Sequence, residues 1–235
     1  MSPGSTEVRG VVLDFGGVLW NMRWDTAQAL EREHALPARA LLDTLYRSPA
    51  WAVVEQGQGD VGAWRADAHA RLEALAGRSL PGLHDRWLAA QGLEAASVAL
   101  VGRLRPGYRV AILSNAEPGF HHRLRGLGIH DLFDTVVASG EEGLAKPDPA
   151  IYLRAAERLA LPPEACVFVD DLPANVEGAV AAGMRGRHLR LHRGETLAGA
   201  LEQLGVKIGG DAAAPPEAPP GAAARPPRER PTSGG

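Results

Sequence analysis

The sequence predicts an α/β fold: a Rossmann-like parallel sheet with crossover helices, carrying a small inserted α-helical cap. Three observations lead there. Short apolar runs alternate with helical stretches through the second half of the chain, the pattern of a parallel sheet. Several of these runs end in polar or acidic residues, which gathers chemistry at one edge of such a sheet. Residues 22–94, in contrast, show helical spacing without strand alternation.

The first strand is the run Val11-Val12-Leu13, ending at Asp14 and turned by Gly16 and Gly17. A carboxylate at a strand tip is a candidate nucleophile or metal ligand, although one that merely caps the turn would look the same. Apolar residues at three- and four-residue spacing predict helices over 26–35, 37–46, 61–75 and 83–91, with breaks at Pro37, Ser48-Pro49, 57–60 and 79–82. Four helices make a small bundle, with most of Trp24, Trp51, Trp64 and Trp87 in its core. A helix over 95–105 then leads to a strand over 109–113 that ends in Ser114-Asn115. A helix over 118–127 and a strand over 135–138 follow, then a helix over 148–160 and a strand over 165–169 that ends in Asp170-Asp171. A helix over 174–182, a weaker strand over 187–191 and a helix over 195–204 close the pattern. The core is therefore expected at 1–21 and 95–208, and the cap at 22–94. Residues 209–235 are rich in Pro, Gly and Ala, without large apolar side chains to offset ordering entropy, and are expected to be a disordered tail.

Composition narrows the function. The chain has 235 residues, 45% hydrophobic and 23% charged, with a net charge of −3, so nothing points to nucleic acid or an anionic membrane as partner. A single cysteine, Cys166, excludes an intrachain disulfide framework and a multi-cysteine zinc site, and its apolar neighbours predict burial. With neither a signal peptide nor a membrane span in the sequence, a cytoplasmic location is expected.

Asp14, Ser114, Lys146 and the pair Asp170-Asp171 fall at strand ends or on the loop between them, and in a parallel sheet they share one edge. A carboxylate nucleophile, a hydroxyl, an ammonium and paired carboxylates are the equipment for phosphoryl transfer with a divalent cation. These segments resemble the four motifs of the haloacid dehalogenase superfamily of aspartate-nucleophile hydrolases. The first is Asp14-Phe15-Gly16-Gly17-Val18-Leu19, the second Ile112-Leu113-Ser114-Asn115, the third Lys146-Pro147-Asp148-Pro149 with Ile151-Tyr152, and the fourth Val169-Asp170-Asp171 with Asn175. The helical insert is similar to the cap of the subfamily that includes glucose 1-phosphate phosphatases and the N-terminal domain of epoxide hydrolases.

The resemblance implies Asp14 as nucleophile with Ser114 and Lys146 as catalytic partners. It also implies Mg²⁺ held by Asp14, the Gly16 backbone carbonyl, Asp170 and Asp171. Asn115, Gly17, Trp20 and Trp24 are the expected substrate contacts, with Asn21 and Arg23 beside them on the linker that must cross the crevice. Asn175 is expected to orient the loop bearing Asp171. One departure stands out: family phosphatases commonly place a general acid/base aspartate two residues after the nucleophile, and this chain has Gly16 there. Such a group contributes about 10² to 10⁴-fold in rate. His121 and His122 are candidates to replace it, while His34, His69 and His84 show no metal-ligand spacing. The expectation is a Mg²⁺-dependent phosphatase of small phosphorylated metabolites, sugar phosphates among them, acting as a monomer or homodimer. A catalytically weak member serving as a binding module is the alternative. Metal-free haloacid dehalogenation ranks lower, because it has no use for the adjacent carboxylates of Asp170 and Asp171.

Overall fold

The computed structural model describes residues 7–209. The chain enters on β1 (Gly10–Leu13), turns, and leaves through the two-residue strand β2 (Trp20–Asn21). Five helices follow: α1 (Trp24–Glu33), α2 (Ala40–Tyr46), α3 (Pro49–Val54), α4 (Val61–Ala76) and α5 (Leu83–Ala90). The strand β3 (Gly92–Leu93) then returns antiparallel to β2, so the entry and exit of the helical segment lie side by side. Beyond it come α6 (Ala95–Leu104), β4 (Arg109–Ser114), α7 (Phe120–Gly126), β5 (Thr135–Ala138) and the single turn α8 (Ser139–Glu142). The last elements are α9 (Pro149–Arg158), β6 (Cys166–Asp170), α10 (Pro173–Ala181), β7 (Arg185–His188) and α11 (Leu197–Gln203).

Five strands form one parallel sheet in the order β5-β4-β1-β6-β7. Side chains alternate across it. Val11 and Leu13 of β1 join Val101 and Leu104 of α6 and Leu197 and Leu201 of α11 on one face, while Val12 joins Ile151, Tyr152 and Ala155 of α9 on the other. A sheet buried on both faces requires unbroken apolar strands, which is why these runs stand out in the sequence. Because β4 and β6 flank β1 on opposite sides, strand order reverses at β1, and the crevice beyond its tip is where ligands bind in such sheets. Asp14 lies there.

The helical segment encloses its own apolar cluster, with Trp51, Trp64 and Trp87 buried and Trp24 packed against its edge. It has five helices rather than the four expected. Ser48-Pro49, read as a break, is a helix start: the Ser48 hydroxyl accepts from Trp51 N at 3.1 Å and Pro49 occupies the first turn. The helix expected from residue 37 begins at Ala40 instead, where buried Glu31 of α1 accepts from the backbone N–H of Arg39 and Leu41, each at 3.0 Å. That cap comes from another helix. Cys166 is buried on β6 as expected. No helix among the described residues is long and apolar enough to cross a membrane. The expected disordered tail lies outside the described residues except for Gly209, whose carbonyl accepts from the Arg103 guanidinium.

Candidate active site

At the tips of the central strands, carboxylate oxygens of Asp14, Asp170 and Asp171 all lie within 4.8 Å of one another. The Lys146 ammonium enters from the loop before α9. It donates to Asp14 Oδ1 at 2.8 Å, Asp170 Oδ2 at 2.6 Å and the Leu113 carbonyl at 3.1 Å, which uses all three of its N–H donors. With 1% of its side chain exposed, Lys146 cannot be screened by water.

One ammonium among three carboxylates leaves the cluster short of positive charge. Burial, then repulsion from Asp170, pushes the Asp14 carboxyl up, against the pull of Lys146. Asp171 is raised by burial and by the charges of Asp14 and Asp170. Burial works to lower Lys146, but attraction from Asp14 and Asp170 outweighs it and the ammonium is held above its ordinary value. An all-oxygen, net-negative donor set of this kind suits a hard divalent cation such as Mg²⁺.

Supporting contacts fix this geometry. Asn175 Nδ2 donates to Asp170 Oδ1 at 3.1 Å and Oδ2 at 3.0 Å, and Leu172 N donates to Oδ1 at 2.8 Å. Asn175 thus orients Asp170 itself rather than the loop of Asp171. Asn115 grips the Lys146 backbone from both sides, accepting from its N–H at 2.8 Å and donating to its carbonyl at 3.0 Å, beside a cis Lys146–Pro147 peptide. Asn115, expected at the substrate, lines the cavity beside Asp14 and also clamps the lysine's backbone. Ser114 is buried, and its hydroxyl makes only a 3.5 Å contact to the Asn115 carbonyl, too long to commit it. Gly17 has φ +76, and a Cβ there would collide with the Asp171 carboxylate. Its role is close packing against Asp171. At Gly16 a Cβ would meet only Met22 Sδ, at 3.5 Å.

Above Asp14 lies a cavity of about 380 Å³ that also exposes Ser114, Lys146 and Asp171. Its other wall is built from the helical segment, the loop after β4 and the first turn of α7: Trp24, Tyr46, Trp51 and Phe120 supply apolar area, and Arg47, Glu55, Glu117 and Arg123 supply charge. A larger groove of about 810 Å³ runs past Arg23, Asp25 and Glu195, but Asp14, Ser114 and Lys146 are absent from its lining, so the chemistry belongs to the smaller cavity.

Three expectations change here and one holds. Trp20 does not line the cavity: its ring stacks on Phe15 at 5.4 Å, its indole N–H donates to Gln91 at 2.9 Å, and the Arg123 guanidinium covers it at 4.7 Å. Asn21 and Arg23 face the outer groove, Arg23 paired with Asp25 at 2.9 Å. His121 lies 3.1 Å from His130, and neither His121 nor His122 reaches the cavity. Trp24 does line it. Arg47, Glu55, Glu117 and Arg123 were not singled out in the sequence, because nothing local to them marks a site.

Known proteins resemble this chain at both levels. It is 39% identical over 117 residues to Phosphatase MT3486 of Mycobacterium tuberculosis, covering 49% of this chain and 54% of that one, so the match spans about half of that relative's length. It is 29% identical over 191 residues to the sesquiterpene phosphatase astK of Aspergillus oryzae, covering 78% of this chain and 91% of that one. A predicted HAD-like family hydrolase from Porphyromonas gingivalis shares the fold, with TM-score 0.62 and 24% identity over 86% of this chain and 100% of that one. The family model for haloacid dehalogenase-like hydrolases matches residues 8–183, and with the four motif segments assembled on one sheet edge the chain belongs to that family.

Proposed function

We propose that this hydrolase is a Mg²⁺-dependent phosphatase of small phosphorylated metabolites, with Asp14 as the nucleophile. The observation that carries the reading is Lys146, whose ammonium holds Asp14 and Asp170 together, at 2.8 and 2.6 Å, inside a cluster of three carboxylates. Asp14, the Gly16 carbonyl, Asp170 and Asp171 would hold the cation, which when bound offsets the negative charge of the phosphoryl group. Lys146 keeps Asp14 aimed from the sheet edge and adds positive charge beside the incoming phosphoryl oxygens. The uncommitted Ser114 hydroxyl is placed to donate to one of those oxygens. Asp14 Oδ attacks phosphorus as the P–O bond to the leaving alcohol breaks, and water then attacks the aspartyl-phosphate, breaking its bond to Asp14 and releasing phosphate.

The substrate body meets Trp24, Tyr46 and Trp51 as apolar surface and Arg47 and Arg123 as charged partners. Sugar phosphates, with apolar ring faces and peripheral hydroxyls, remain within that class. The helical segment acts as the cap that closes over substrate, and the β2–β3 pair is its hinge. Two relatives bearing phosphatase names support the reading. Gly16 favours a second reading, a weak member that binds a ligand without turning it over. The test is Mg²⁺-dependent release of phosphate from 2,4-dinitrophenyl phosphate, an ester that needs no proton donor. Turnover abolished by Asp14→Asn and by chelation is expected. No turnover by the native chain would overturn the phosphatase reading in favour of the second.

A further inference from the structure

Gly16 stands on the cavity floor without a side chain, so a proton for a poor leaving group must come from elsewhere. Besides Asp14 and Asp171, the carboxyl groups lining the cavity are Glu55 and Glu117. They are held differently. Glu55 sits at the C-terminal end of α3, its N–H bonded to the Trp51 carbonyl at 2.8 Å, and its side chain crosses from the cap to the core. Its Oε2 accepts from Asn115 Nδ2 at 3.0 Å, the same amide that clamps the Lys146 backbone. The next turn of the cap is seated on the core as well, since a Cβ at Gly57 would collide with the Gly140 carbonyl. Burial raises the Glu55 carboxyl above its ordinary value, with hydrogen bonds from Asn115 and Trp51 and the charge of Lys146 working against it. A carboxyl raised in this way keeps its proton to higher pH than a solvated one, which suits a group that must donate it.

Resting on the phosphatase reading above, we propose that Glu55 of the cap is the general acid/base that Gly16 leaves out. As Asp14 Oδ forms its bond to phosphorus and the P–O bond to the leaving alcohol breaks, the Glu55 carboxyl gives its proton to the departing oxygen and becomes a carboxylate. In the second half, that carboxylate takes a proton from water as the water oxygen attacks phosphorus. The bond between phosphorus and Asp14 then breaks, phosphate leaves, and Asp14 and Glu55 return to their starting states. Because the acid is carried by the cap, chemistry on a poor leaving group requires the cap to be seated.

The experiment compares kcat/KM of the native enzyme, Glu55→Gln and Glu117→Gln on glycerol 3-phosphate and on 2,4-dinitrophenyl phosphate with saturating Mg²⁺. For Glu55→Gln the loss on the alkyl ester is expected to exceed the loss on the aryl ester by about 10² to 10⁴-fold. The high-pH decline of the native alkyl-ester profile disappears in that variant. Glu117→Gln keeps the native ratio between the two esters. Equal losses on both esters in Glu55→Gln would make it a positioning residue for Asn115 and overturn the assignment, as would a selective loss in Glu117→Gln. A native enzyme that turns over the aryl ester but no alkyl ester also overturns it while leaving the phosphatase reading intact, whereas no turnover of either removes both.

Discussion

Lys146 stands 2.6 Å from Asp170 and 2.8 Å from Asp14, so one buried ammonium ties the tip of the fourth-motif strand to Asp14 at the tip of the central strand. Removing it leaves three neighbouring carboxylates without their counter-charge. Truncating one partner of a buried charge pair costs about 3 to 5 kcal/mol. Lys146→Met is therefore expected to lower stability by that order, read as a fall in the urea midpoint at unchanged m-value. Lys146→Arg should not restore activity, because a planar guanidinium cannot reproduce three bonds from one nitrogen. A Lys146→Met midpoint within error of the native one would show that the ammonium is not neutralising this cluster.

Two adjacent glycines should respond oppositely to one methyl group. At Gly17 the backbone has φ +76 and a Cβ would strike the Asp171 carboxylate, whereas at Gly16 a Cβ meets only Met22 Sδ at 3.5 Å. Gly17→Ala is expected to cost about 1 to 3 kcal/mol and to weaken Mg²⁺ affinity by displacing Asp171. Gly16→Ala should cost less than about 1 kcal/mol. Paired urea melts and Mg²⁺ titrations check this, and equal penalties would mean that the turn relaxes freely.

The difference between those glycines also marks what the sequence can disclose. The positions of Asp14, Ser114 and Asp170 were legible because each ends an apolar run whose tip must reach the same sheet edge, and that of Lys146 because it lies on the loop that opens a helix beside them. The grouping of three carboxylates, Asp14, Asp170 and Asp171, follows from the same sheet edge, whereas a Mg²⁺ donor set with the Gly16 carbonyl was implied by the family resemblance alone. Glu55 was not legible, since its place depends on Asn115, 60 positions away, and on a helix whose Ser48-Pro49 start reads equally as a break. The start of α2 was hidden for a similar reason, its cap coming from Glu31 rather than from a neighbour. Strand β7 begins two residues earlier than expected because Arg185–His188 is a half-buried edge without apolar alternation. Trp20, next to the first motif, was expected at the substrate because proximity in sequence stood in for geometry; stacking on Phe15 turns it away.

Stability should fall on mild acidification because of His84. The residue is 6% exposed in the helical segment, with Nε2 2.9 Å from Thr44 Oγ1. Burial pulls its pKa down from 6.5 to about 4, partly opposed by a backbone hydrogen bond with Leu41. Between those values the unfolded chain binds the extra proton and the folded one does not, so the contribution is intact above pH 6.5 and is lost as pH falls toward 4. The full shift would be worth about 3 kcal/mol, and relaxation around the charged ring lowers the expected loss to about 2 kcal/mol. Urea melts at pH 7 and pH 4.5 should therefore diverge less in His84→Gln than in the native chain. The same pH slope in both proteins would assign the acid sensitivity to other groups.

Restoring the missing aspartate tests whether positions 16 and 55 share one task. A side chain at 16 has room, with only Met22 Sδ within 4 Å of the Cβ position. If Glu55 already moves the proton, Gly16→Asp should change glycerol 3-phosphate turnover little in the native background, because the step is already catalysed. In the Glu55→Gln background the same substitution should recover much of the lost turnover, which acid/base catalysis values at about 10² to 10⁴-fold. The two effects are then strongly non-additive, as expected for groups that perform the same step. A Gly16→Asp gain of equal size in both backgrounds would mean that position 16 lacks an acid that nothing else supplies.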